Sequence, residues 1–321
     1  MRYGCPNPQC TFHQKKDFIV RDGSYLRKND SRRIARFKCK NCGIKFSNAT
    51  FSLAKNQKKR RINHIVFKLL ASGVSQRRAA KILKVHKTTI KRKFDYLSKL
   101  ARQKHQRWLK ENYLNNKVLD IQFDDLITVE HTKLRPLSVS TVVQKHTRKI
   151  LGARVSQIGA FGHLAELSRQ KYGKRKNTHR QKLGELFASL TGYIDPHATF
   201  ESDEHKFYPP VLARHFPGAT HVRYKGGRSS IAGQGELKKL KFDPLFSINH
   251  TYAMFRANIN RLFRKTWCVT KVPQELQKHL DLYIYAFNTG IIGWCKKERE
   301  ILEQKKGSEI TSFFYLNTSP R

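Results

Sequence analysis

Apolar residues first recur at helical spacing. Ile62, Ile65, Val66, Leu69 and Leu70 form one such run, which stops at Gly73 and so predicts a helix with a glycine end. Ser75 stands where its hydroxyl can cap a second helix carrying Ala79, Ala80, Ile82 and Leu83. A third helix is predicted from near Thr88, with Ile90, Phe94, Leu97 and Leu100 on one face and a tail reaching Asn115. From Lys117 the pattern changes to strands: KVLDIQFDDLITVE at 117–130, LSVSTVVQ at 137–144 and ILGARVSQI at 150–158. Three successive strands predict an antiparallel meander. A helix follows over about 178–190, with Leu183, Leu186, Phe187 and Leu190 on one stripe. Next come a strand at 198–204, a short helix at 211–216 introduced by Pro209-Pro210, and a strand at 219–224. A long helix is predicted from 245 or 248 to 266, and a packing helix from Pro273 to about Thr289.

The first of those strands carries a cost. Asp124 and Asp125 sit in an otherwise apolar run, and a carboxylate inside a sheet needs a cation, a proton or strong donors. The strand ATFESDE at 198–204 also runs from apolar residues into acids. Solvated acids on an edge strand are the bland explanation. Two such strands in a chain with 65 basic residues suggest a divalent-metal site working on phosphodiesters. The order βββ-α-β-α-β is the ribonuclease H-like order, a mixed sheet flanked by helices. There the first and fourth strands are neighbours, which would bring Asp124 to Asp203 across 79 positions of sequence.

Charge sharpens the reading. The net charge is +42, and residues 1–115 hold 31 Lys and Arg against 5 Asp and Glu, so +26 of it lies there. Such a field favours nucleic acid over membrane or acidic protein. No stretch approaches a membrane span and no signal-peptide pattern opens the chain, so a cytoplasmic, nucleoid-associated protein is expected. The segment SGVSQRRAAKILKVHKTTIKRKF reads as helix-turn-helix, with Arg77, Arg78, Lys81, Lys87, Thr88, Thr89, Lys91 and Arg92 as candidate DNA contacts. A three-helix bundle with a charged surface is the rival.

Four of six cysteines lie in the first 42 residues: Cys5 and Cys10, then Cys39 and Cys42 followed by glycine. Two close pairs across a loop suit a tetrahedral Zn²⁺ site of structural type, since four thiolates leave no open position. Reduced cysteines in a small hairpin are the alternative, and His13 could replace Cys10. Cys268 and Cys295 are expected as buried thiols. The Gly-rich basic stretch at 225–243 is either a flexible loop or a substrate-contacting one, and residues 296–306 read as a solvated helix.

Taken together, the chain is expected to be α+β and multidomain. A zinc ribbon would occupy 1–50, a helix-turn-helix domain 58–115, a ribonuclease H-like domain 116–295, and a charged tail 296–321. This order resembles the small bacterial insertion-sequence transposases of the DDE type. The matching pieces are Phe123-Asp-Asp-Leu126, Ser202-Asp-Glu-His-Lys206 with Tyr208, and Asn260-Arg-Leu-Phe-Arg-Lys-Thr266 with Lys271. The resemblance implies that Asp124 and Asp203 are catalytic ligands of two Mg²⁺ or Mn²⁺ ions. The glutamate position falls on Asn249 or, with a one-residue slip, His250, and Arg256 supplies the basic residue expected downstream. Glu236, 33 positions after Asp203, could replace the missing acid. Some branches of this clan carry Asn or His there. The implied protein binds double-stranded DNA at element ends and target as a homo-oligomer, and cleaves and joins strands. A silent transposase-derived regulator and a ribonuclease H-like nuclease or resolvase are the rivals.

Overall fold

The computed structural model describes residues 4–27, 32–51, 54–55, 57–225, 243–263 and 266–292. Glu236, Arg264, Lys265, Cys295 and the charged tail lie outside them. Packing divides the chain into two compact units after His64.

The first unit is a three-stranded antiparallel sheet of β1 (Ile19–Arg27), β2 (Arg32–Cys39) and β3 (Lys45–Phe46), in that order. Gly43 has φ +70° in the turn after Cys42, a conformation that a side chain would strain. Its N–H donates to the Cys39 carbonyl at 2.9 Å.

The second unit begins with α1 (Asn63–Ala71), α2 (Gln76–Ile82) and α3 (Lys87–Tyr113). The Ser75 hydroxyl accepts the Arg78 N–H at 3.2 Å and starts α2. The tail to Asn115 is the second half of one 27-residue helix, which buries Leu97, Ala101 and Leu109. The packing therefore has no boundary at 115; these helices and the sheet form one unit. Helix α3 lies along α8 (Pro273–Asn288) and is tied to it by charge. Lys278 Nζ lies 2.6 Å from Asp95 and 2.7 Å from Glu275, and Lys91 Nζ lies 2.7 Å and 3.1 Å from the same two carboxylates. Burial alone would raise both acids, but the two ammoniums outweigh it and hold Asp95 and Glu275 below the usual carboxylate range. Their contribution is thus present above pH 4 to 5 and is lost on acidification. Glu275→Gln should cost about 1 kcal/mol at neutral pH and nearly nothing in acid, as read by denaturant midpoints.

The larger sheet has the order β6-β5-β4-β7-β8. Strands β4 (Val118–Glu130), β5 (Thr132–Gln144) and β6 (Ile150–Gln157) form the antiparallel meander, and β7 (Ile194–Asp203) and β8 (Thr220–Tyr224) add in parallel. Both β5 and β7 begin earlier than expected, through Pro136 and Pro196. Pro136 pairs with Val129 beside an irregularity in the ladder, and Pro196 falls where the β4–β7 register shifts; such irregularities are where a sheet tolerates proline.

On one sheet face Ile121, Phe123 and Phe200 pack with α5 (His179–Ala188) and α6 (Tyr208–His215). On the other, Leu126, Leu137 and Val139 pack with α7 (Phe246–Asn258) and α8. A further helix, α4 (Leu164–Tyr172), was not expected; it buries only Ser168, so it has no apolar stripe to read. The long helix expected to reach Thr266 ends at Asn258. Ile259 is extended (φ −103°, ψ 103°) and a 3₁₀ turn follows at Asn260–Leu262. Ile259 and Leu262 are both buried in the core across this break. Because the apolar repeat runs through it, periodicity does not disclose it. Arg261 lies half-buried in that turn.

Candidate functional site

The β4–β7 register pairs Asp120 with Thr199, Ile121 with Phe200 and Gln122 with Glu201. The pairing ends there, and side-chain alternation carries Asp124 and Asp203, the last residue of β7, to the same face of the sheet as Gln122 and Glu201. Burial, and next the Asp203 charge, push the Asp124 carboxyl up to about 8. Burial likewise raises Asp203. Two carboxyls that are both costly to ionise form a place that a cation would stabilise.

Neighbouring side chains alternate across a strand, so Asp125 faces the other way and is fully engaged. It accepts from Ser138 Oγ at 2.6 Å, Ser140 Oγ at 2.5 Å and Tyr208 Oη at 2.8 Å, and pairs with His179 Nε2 at 2.6 Å. Burial would raise it, but His179 and the two serines hold it down. Asp125 is therefore a fixed internal charge behind the site. Tyr208 spans both acids, lying 3.4 Å from Asp124 Oδ1. Tyr252 of α7 donates to the Asp124 carbonyl, which fixes α7 against this point of the strand.

Gln122 holds the start of α7. It is 1% exposed; its Oε1 accepts the Ile248 N–H at 3.1 Å, and its Nε2 donates to the Pro244 carbonyl at 2.6 Å and to Glu201 at 2.8 Å. Glu201 in turn pairs with Lys145 at 2.5 Å. Gln122→Leu strands several buried polar groups at once and should lower stability by about 2–3 kcal/mol in denaturant titration.

Asn249 and Arg256 share a face of α7, seven residues apart and each next to the Tyr252 direction. His250 points elsewhere: its ring lies 3.0 Å from Arg148 Nη1 and packs on Phe246. Asn249 Nδ2 donates to Asp243 Oδ2 at 2.9 Å, and Asp243 Oδ1 caps the helix by accepting the Leu245 N–H. The amide is thus oriented by a carboxylate that sequence reasoning missed. His179 and Gln122 were missed too, since only the folded sheet brings them to the acids.

Among the candidate DNA contacts, Arg77, Arg78, Lys81, Lys87, Thr88 and Arg92 are exposed and Thr89 is half-buried. Lys91 differs: its ammonium is taken by Asp95 and Glu275. The charge run on α3 marks a helix whose two sides have different tasks.

In the first unit Cys5, Cys10, Cys39 and Cys42 bring their sulfurs within 4.8 Å of one another. Cys5 and Cys42 are 3.5 Å apart, and Cys10 and Cys39 are 4.0 Å apart. A zinc–sulfur bond of about 2.3 Å in a tetrahedron gives sulfur–sulfur edges of about 3.8 Å, so the set could hold a structural metal such as Zn²⁺. Asn41 Nδ2 donates to Cys10 Sγ at 3.4 Å. The Ile44 backbone lowers the Cys42 thiol to about 7, while burial pushes Cys5 up to about 12. His13 bridges Cys5 through its backbone and does not replace Cys10 in the ligand group. Among the described residues, no other group of three or more Cys, His or acidic side chains converges this closely, Asp124, Asp203 and Asp243 included. Cys268 is half-buried in a 3₁₀ turn rather than a core thiol.

No family model matches the chain, and no curated protein matches it. No described helix is long and apolar enough to cross a membrane.

Proposed function

We propose that the protein is a transposase of the DDE type, which binds the ends of its element and cleaves and joins DNA strands. The observation that carries this reading is a pair of carboxyls, Asp124 and Asp203, on adjacent strands and both raised by burial, with α7 held against the Asp124 carbonyl through Tyr252, in a chain of net charge +42. The sheet order and flanking helices suit a ribonuclease H-like core, the cysteine unit suits a zinc ribbon, and α1–α3 suit a helix-turn-helix. Asp124, Asp203 and Asn249 would hold divalent cations, which supply an activated water or 3′-hydroxyl and stabilise the leaving oxygen. Arg256 holds a DNA phosphate, and Tyr208 and Tyr252 fix the strand that carries Asp124.

Binding rests on phosphate contacts from α2 and the start of α3. Affinity of the full chain for duplex DNA should fall by about 10³-fold between ~50 and ~200 mM salt. Incubating the chain with DNA from both flanks of its gene and a target plasmid tests the whole reading. Joined products with cuts at the flanks support it. Cutting without joining would favour a nuclease or resolvase. Binding without cutting would favour the silent regulator, which the neutral Asn249 supports on its own.

A further inference from the structure

Past Asp124, among the described residues, no strand pairs with the outer edge of β4 until Glu130. Strand β7 ends at Asp203, and the next segment to meet that edge is at Thr270, bridged to Glu130 and accepting the His131 N–H at 2.9 Å. Between them, among the described residues, β4 pairs only with β5. A cavity of about 590 Å³ lies there. Strand β4 contributes Leu126, Ile127 and Thr128 to it, the chain after α7 contributes Leu262 and Phe263, and Arg256 and Lys133 line it as well.

We propose that this cavity receives a nucleobase unstacked from the DNA strand whose phosphate is held at Asp124, Asp203 and Arg256; the proposal rests on the DNA-cleaving reading above. Position argues for it first. Leu126 is two residues from Asp124, roughly 7 Å along the strand, and Arg256 belongs to both the α7 face and the cavity. A strand held at the acids therefore passes the cavity mouth. Chemistry argues for it second. The aliphatic walls and the Phe263 ring suit the two faces of a base, while the strand edge and the Thr128 hydroxyl offer hydrogen bonds to its rim. Ile127 is 46% exposed, an apolar side chain for the base to cover. A peptide strand could also pair such an edge, but Arg256 and Lys133 beside it favour a polyanion.

The test uses the full chain and a single-stranded oligothymidylate carrying one 5-iododeoxyuridine, irradiated and mapped by mass spectrometry. Crosslinks are expected at the cavity residues 126–129, 131–133, 262, 263 and 269. Ile127→Glu and the milder Phe263→Leu should each lower them about tenfold, with duplex binding and the circular dichroism spectrum unchanged. DNA binding with crosslinks only elsewhere, or crosslinks indifferent to both variants, would overturn the cavity's role and leave the DNA-cleaving reading standing. A chain that binds neither single-stranded nor duplex DNA would remove both. Hydrogen-exchange protection of 125–130 that appears on self-association without DNA would assign the edge to a second copy of the chain instead.

Discussion

Asp124→Asn and Asp203→Asn should each reduce DNA strand cleavage by about a thousandfold or more, while binding of the same DNA is unchanged. Loss of one ligand removes several kcal/mol of transition-state charge stabilisation, which is about that factor in rate. Binding survives because the exposed basic residues of α2 and α3 lie elsewhere on the chain. Folding should survive as well. Burial and a like charge already make the Asp124 carboxylate costly, so a neutral amide of the same shape relieves rather than strains the site. Asp125→Asn is the contrasting variant. Asp125 accepts from two serines and a tyrosine and pairs with His179. An amide there sets an N–H against a donor and should cost about 3 kcal/mol of stability. A gel-shift and cleavage assay on one preparation separates the two behaviours.

Removing metal from the cysteine unit should unfold it. Its three strands bury little: Phe12, Ile19 and Cys42 pack against Cys5, Cys10 and Cys39, and among the described residues of this unit Phe46 and Ala54 are the other buried apolar side chains. A unit this small lacks the core to fold alone. Structural zinc in such units contributes about 10–16 kcal/mol, far more than that cluster can. Strong chelation, or Cys39→Ser, should release about one equivalent of zinc and collapse amide protection over 4–51. The second unit should keep its protection, because its core is built from other residues. A first unit that stays protected without metal would show the sulfurs to be reduced thiols in a self-sufficient hairpin.

Much of this architecture is legible in the chain because local physics fixes it. The helix period and the Ser75 cap disclose α1–α3, and β-branched runs disclose the meander. The cost of burying carboxylates marks the Asp124-Asp125 pair and the acidic end of 198–204 before any fold is known, and the resemblance picks Asp124 and Asp203 from them. What escapes has a shared cause, namely partners distant in sequence. His179 meets Asp125, Gln122 meets Ile248 and Pro244, and Lys91 meets Glu275 only after the sheet and helices assemble. The end of α7 at Asn258 escapes for a different reason, because its apolar spacing fits either a continued helix or a break. The contact that sets His250 apart from Asn249, Arg148 against the His250 ring, is likewise tertiary.

The central claim is that Asp124, Asp203 and the facing side of α7 form a divalent-cation site that cuts DNA. The most direct measurement is strand cleavage by the parent chain on DNA from its own gene flanks, with Mg²⁺, Mn²⁺, Ca²⁺ or no cation added. The account predicts cuts at defined positions with Mg²⁺ or Mn²⁺, none without a cation, and Asn249→Ala severely slowed. Binding of that DNA with no cleavage in either Mg²⁺ or Mn²⁺ would contradict it.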